Sequence, residues 1–165
     1  MGGIRKSSLS VLAMSSARCT VLSAAISTAA LMLALPAHAI DFKSVGNAPA
    51  VLYDAPSEKG RKTFVAPRGM PVEVVLSYGD WAKVRDAGGD LSWIESKSLA
   101  AKRMVVVTAV SGKIHAAADD SSPLVFAADR GVLLELSEPV ASGWLKVRNR
   151  DGVAGYLKAT DAWGD

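Results

Sequence analysis

The chain has 165 residues, half of them apolar, with 19 Lys and Arg against 16 Asp and Glu and a single cysteine. That length allows one ordinary domain or two small ones. One cysteine excludes a fold stapled by disulfides, and the basic excess sits at the N-terminus, so it gives no clustered footprint for nucleic acid.

Residues 1–39 read as a secretory leader. Arg5, Lys6 and Arg18 supply positive charge, Val21 to Leu35 is apolar and uncharged, and Pro36 ends the run before Ala37-His38-Ala39. Charge, apolar run and small-x-small site in that order predict cleavage after Ala39 and a periplasmic or secreted protein. The apolar run is 15 residues long, short of the roughly 20 needed for a membrane-spanning helix, so no stable span is expected after cleavage. Cys19 precedes the apolar run, which argues against a lipoprotein. Arg5-Lys6 is not a twin arginine. The leader holds three of the 19 basic residues and none of the acidic ones, which leaves 16 against 16 in the remainder. Cys19 leaves with it, so the exported part relies on its core and hydrogen bonds alone.

Beyond the leader the chain spells one unit twice. Leu52-Tyr53 meets Ile114-His115, Phe64-Val65-Ala66 meets Phe126-Ala127-Ala128, and Arg68-Gly69 meets Arg130-Gly131. Val72-Glu73-Val74 meets Leu134-Glu135-Leu136, Trp81 to Arg85 meets Trp144 to Arg148 after a one-residue slip, and Trp93-Ile94 meets Tyr156-Leu157. Self-similarity of this kind marks a repeat, and predicts units over residues 40–101 and 104–163. In the first, Val72–Leu76, Trp81–Arg85 and Leu91–Ile94 read as strands, separated by turns at Gly79-Asp80 and Asp86–Asp90. In the second, Val132–Ser137, Trp144–Arg148 and Val153–Leu157 repeat them, with turns at Pro139–Gly143 and Asn149–Gly152. Short strands at regular spacing with Gly, Asp and Asn turns predict a small barrel or sandwich, and no segment keeps a helical period. Lys97-Ser98-Leu99 and Thr160-Asp161-Ala162 suit single closing helical turns. The connection Ala100–Arg103 is short and lacks Gly and Pro, so the units are expected close together. Each is small enough to be marginal alone, and a shared contact would stabilise both.

The order Leu52-Tyr53, Asp54-Ala55-Pro56-Ser57, Arg68-Gly69, an apolar strand, Trp81-x-Lys83-Val84-Arg85 and Gly89-x-x-x-Trp93-Ile94 resembles the bacterial SH3-like (SH3b) domain. The resemblance covers nearly all of the chain beyond the leader, as a tandem pair, and is carried by order and spacing. It implies an all-β fold of two small SH3-like antiparallel barrels, each bent and five-stranded. It also implies exported modules that bind cell-wall peptides or other envelope partners. The chain departs from the family at the first loop, where Asp54 and Ala55 replace the usual Arg and Gly, and Ala116–Asp119 in the second unit has no Pro. Val51–Asp54 is also similar to the start of eukaryotic SH3 domains, but the paired tryptophans and acidic loop of those domains are incomplete here.

Strand alternation sorts the side chains. Ala82, Val84, Leu145 and Val147 suit the core, which turns Trp81, Lys83, Arg85, Trp144, Lys146 and Arg148 to the opposite face. Ile94 and Leu157 point inward, so Trp93 and Tyr156 point out. The candidate ligand-binding residues are Tyr53, Tyr78, Trp81 and Trp93 in the first unit, and Trp144 and Tyr156 with His115 in the second. Two roles are open to the indoles: half-buried apolar cover for a small fold, or contact with a ligand. The cations beside them suit carboxylates of wall peptides, and equally a solvated face.

Nothing in the motifs points to an enzyme. The exported part has no cysteine nucleophile and one histidine, His115. Ser111, His115 and Asp119 lack a nucleophile elbow, and a zinc site needs three or four His or Cys ligands. Asp119-Asp120-Ser121 lacks the calcium-loop spacing. The expectation is a non-enzymatic binding module with no cofactor and no metal, whose partner is peptidoglycan peptide or an envelope protein. The alternative is an assembly subunit that pairs with another protein by strand addition, through exposed edges or the apolar segment Met104–Val107.

Overall fold

The structure, a computed structural model, describes residues 40–165; the export leader expected over residues 1–39 lies outside the described residues. Those described form an all-β fold of two antiparallel sheets. The first contains β1 (Asp41–Val45), β2 (Ala50–Tyr53), β3 (Lys62–Ala66), β4 (Pro71–Tyr78), β5 (Trp81–Arg85), β6 (Leu91–Glu95) and β7 (Leu99–Ala100). The second contains β8 (Met104–Val107), β9 (Ser111–His115), β10 (Leu124–Asp129), β11 (Leu133–Ala141), β12 (Trp144–Arg148), β13 (Ala154–Lys158) and β14 (Ala162–Trp163). The sheets run β3-β2-β6-β5-β4-β1-β7 and β10-β9-β13-β12-β11-β8-β14, the same order strand for strand.

Each sheet has seven strands where the resemblance implies five. The additions are β1, ahead of the first recognisable motif, and the two-residue β7, which pairs with β1 after a single 3-10 turn over Ser96–Ser98. A matching turn over Ala159–Asp161 precedes β14. Both turns begin one residue earlier than expected. The ladders are open, with β3 and β7, and β10 and β14, as their ends.

The alternation in β5 and β12 sets the cores. Ala82 and Val84 are buried beneath Trp81, Lys83 and Arg85, and Leu145 and Val147 are buried beneath Trp144, Lys146 and Arg148. Val45, Leu52, Val72 and Ile94 complete the first core, and Val107, Ile114, Leu134 and Leu157 hold the same strand positions in the second. Equivalent positions in the two cores differ in size. Ala82 becomes Leu145, and Ala50 becomes Gly112, where an added Cβ would stand 3.1 Å from both Leu157 and Val107. Volume gained at one position is thus given up at another, as a close-packed interior requires.

The slip in the repeat lies in one hairpin. β4 has eight residues and β11 nine. Pairing of β4 with β5 shifts register once, between Val74 and Leu76, whereas β11 with β12 shifts twice, at Leu136/Glu138 and Glu138/Ala141. The next turn is built alike in both halves. Asp86 Oδ1 accepts from the amides of Gly88 and Asp90, each at 2.9 Å, and Asn149 Oδ1 accepts from those of Asp151 and Val153 at 3.0 and 2.9 Å. Asp and Asn recur because a short side-chain carbonyl can bond the backbone two residues on.

The halves touch, as the short connection predicts. Phe42 of β1 meets Trp163 of β14 edge to face, ring centroids 4.9 Å apart. Arg103 lies over the Phe42 ring at 5.8 Å and donates from Nη2 to Gly164 O at 3.3 Å. Ser44 Oγ, buried, donates to Lys102 O at 2.7 Å. Gly164 sits at φ 118°, and a Cβ there would stand 2.7 Å from Met104 O and 2.9 Å from Pro71, so only glycine lets the chain end pass between the halves.

Candidate binding face

Four strands of the first sheet, in the order β2-β6-β5-β4, gather the candidate aromatics on one face. Tyr53 is the register partner of Trp93, Trp93 of Lys83, and Tyr78 of Trp81. Direct partners in an antiparallel pair project from the same side. Tyr53 and Trp81 meet edge to face at 5.4 Å, and Tyr78 and Trp93 at 6.5 Å. Lys83 Nζ stands 6.0 Å from the Trp93 ring centroid, at the outer limit for attraction between a cation and a π face. Tyr53, Trp81 and Trp93 are half-buried, while Tyr78 is 66% exposed at the tip of the β4–β5 hairpin. The indoles therefore lie against the sheet with one side open, and Tyr78 rises beside them.

Carboxylates frame this patch. Glu73 and Arg85 are register partners and join at 2.9 Å. Glu95, opposite Trp81, accepts from Lys97 at 2.8 Å, and that contact raises the Lys97 pKa. The loop after β2 is tied by Asp54, which accepts from the Arg61 amide at 2.8 Å and pairs with its guanidinium at 3.4 Å.

The second sheet carries the same positions with different chemistry. Tyr156 is the register partner of both His115 and Lys146, and His115 meets Trp144 edge to face at 5.8 Å. His115 is buried, 9% exposed, so it is not the surface group its place opposite Tyr53 in the repeat suggests. Its Nδ1 lies 2.9 Å from Ser122 O. A carbonyl only accepts, so Nδ1 carries a proton and ties the ring to the loop. Lys158 takes the place of Glu95. Its Nζ lies 5.7 Å from the Trp144 centroid and 2.7 Å from Asp120, so the cation beside the second indole is already paired. Tyr78 has no aromatic counterpart, since Ala141 is the residue paired with Trp144.

All four aromatics of the first patch are legible from strand alternation, whereas Lys158 beside Trp144 is not. Asp119 and Asp120, adjacent in a loop that suggests a cation site, turn to different partners. Asp119 accepts from Ser121 N at 3.0 Å and Ser121 Oγ at 2.7 Å. Those two bonds hold its carboxyl below the ordinary 3.8, while Asp120 faces Lys158. Among the described residues no three His, Cys, Asp or Glu side chains gather as a metal site. Lys146 is held above its ordinary pKa chiefly by its bond to Glu138.

Residues 46–100 match the bacterial SH3 domain family. The matching segment runs from just after β1 through β7 and contains Tyr53, Tyr78, Trp81 and Trp93, so the resemblance read from Leu52-Tyr53 through Trp93-Ile94 is borne out there. No curated protein is significantly similar to the chain. Solved structures similar to it include NlpC2 from Trichomonas vaginalis, at 14% identity and TM-score 0.36, covering 77% of this chain and 49% of that one. NlpC1 from the same organism gives 14% and 0.36, covering 77% and 46%. An NlpC/P60 family protein from Bacillus cereus gives 17% and 0.35, covering 74% and 56%. The chain matches about half the length of each. No helix among the described residues is long and apolar enough to cross a membrane.

Proposed function

We propose that the protein is an exported, non-catalytic binding module of the bacterial envelope. It recognises cell-wall peptide through the aromatic face of its first half. The observation that carries this reading is the open patch of Tyr53, Tyr78, Trp81 and Trp93, lying wholly within the segment that matches the bacterial SH3 domain. Rigid aromatics beside a cation give large contact area at low entropic cost, and Lys83 offers a charge for a peptide carboxylate. The second half plays the lesser part, because Lys158, paired with Asp120, stands by the Trp144 ring and Tyr78 has no aromatic counterpart there.

Co-sedimentation with purified sacculi tests the wall reading. The wild-type protein is expected to pellet and Tyr78→Ala to remain largely in the supernatant. Equal recovery of both in the supernatant would remove it.

A second reading, an assembly subunit that adds a strand from a partner protein, is favoured by the sheet ends. Phe64 and Val65 on β3 and Leu124 and Val125 on β10 are exposed large apolar residues on edge strands, the kind of edge that templates pairing. Met104–Val107 is not available for it, being flanked by β11 and β14. Crosslinking in cells that yields one dominant protein at β3 or β10 would select this reading.

A further inference from the structure

We infer that the cleft between the two halves is a binding site for a compact, multiply charged oxyanion, separate from the aromatic patch. The cleft has a volume of about 500 Å³, within the range of small-molecule sites. Arg68, Lys102, Arg148 and Arg150 line it, against one carboxylate, Glu135. Arg68 comes from the first half, Lys102 from the connection, and the other two from the second half, so the site exists only where the halves meet.

Comparison of the two copies shows why the three arginines are unspent. In the first half Glu73 and Arg85 are register partners and neutralise each other at 2.9 Å. Glu135 and Arg148 hold the same register in the second half, yet Glu135 pairs with Lys102 at 2.8 Å. Arg148 is left without its carboxylate. Among the described residues Arg68, Arg148 and Arg150 enter no ion pair, and all three are exposed. The turn that follows reinforces the change. Asp86, Ala87 and Asp90 of the first copy correspond to Asn149, Arg150 and Val153 in the second. Gly88 becomes Asp151, so the same backbone turn has one carboxylate there in place of two and has gained a guanidinium. Three arginines lining one cleft suit carboxylate or phosphate oxygens, which guanidinium groups can bond in pairs.

Isothermal titration calorimetry of the purified protein at low ionic strength tests this, with triglutamate, inorganic pyrophosphate and uncharged triglutamine as probes. At least one anion is expected to bind saturably and triglutamine not at all. Triglutamate binding assigns a carboxylate ligand, and pyrophosphate binding alone a phosphate one. Arg148→Gln or Arg150→Gln is expected to weaken the binding about tenfold, while Lys62→Gln, an exposed cation on β3 outside the cleft, leaves it unchanged. Glu135→Gln releases Lys102 into the cleft and is expected to tighten binding about threefold, a direction that damage to the fold would not produce. Absence of saturable heat with both anions, or an equal loss in Lys62→Gln, overturns the inference.

Discussion

Trp163, in the last strand, meets Phe42, in the first, edge to face with ring centroids 4.9 Å apart. The two ends of the described chain are thereby joined, and each half covers apolar surface that the other would leave wet. Trp163→Ala is expected to destabilise the fold by about 2–3 kcal/mol, the scale of a large side chain's burial. A cycle with Phe42→Ala should show a coupling of about 1 kcal/mol between the rings. Chemical denaturation measures both, and purely additive losses would mean that the rings do not support one another.

Tyr78 and Trp81 are register partners that should separate binding from stability. Tyr78 stands clear of the core, so Tyr78→Ala is expected to change stability by no more than about 0.5 kcal/mol while reducing sacculus binding. Trp81 is half-buried against Tyr53, so Trp81→Ala should lower both. Thermal melts beside co-sedimentation check this. A Tyr78→Ala protein that melts much earlier than wild type would contradict its exposed placement.

Gly155, in the middle of β13, has no room for a side chain. A Cβ there would meet the Ile114 side chain and stand 2.7 Å from His115 O. Gly155→Ala is expected to cost about 1–3 kcal/mol, as overpacking does, and to shift the His115 ring signals in an NMR spectrum. The matching position in the first sheet is Ser92, whose hydroxyl lies 3.2 Å from that of Thr63, so Ser92→Ala should be tolerated better.

Asp119 gives the loop after β9 a pH response. Its folded pKa lies below the ordinary 3.8 because Ser121 donates two hydrogen bonds to the ionised form. A depressed acid stabilises the fold above its unfolded pKa, and that contribution is lost as pH falls through the folded value. The Ser121 amide resonance should therefore titrate with a midpoint under 3.8, and Asp119→Asn should abolish the transition. A midpoint at or above 3.8 would show that the two bonds are not held in solution.

Much of the fold was legible because its signals are local. The period of two in Trp81–Arg85 and Trp144–Arg148 dictates which side chains face inward, whatever the neighbouring strands are. The Asp86 and Asn149 turns are closed by atoms a few residues apart. The two sheets have identical strand orders, and β11 is one residue longer than β4. The additional strands β1 and β7 were not legible, since Asp41–Val45 lies ahead of the motifs and Leu99–Ala100 is too short to show a period.

The sequence by itself determined the central strands, the turns between them and their inward and outward faces, because each depends on near neighbours in the chain. Only the tertiary structure decided which outward groups meet. It set Lys158, paired with Asp120, by Trp144 and gathered Tyr53, Tyr78, Trp81 and Trp93 into one patch. It set Trp163 against Phe42, enclosed Met104–Val107 between two strands, and drew Glu135 from Arg148 to Lys102. Such pairings depend on distances through space between residues far apart in the chain, and alternation along a strand carries no information about them.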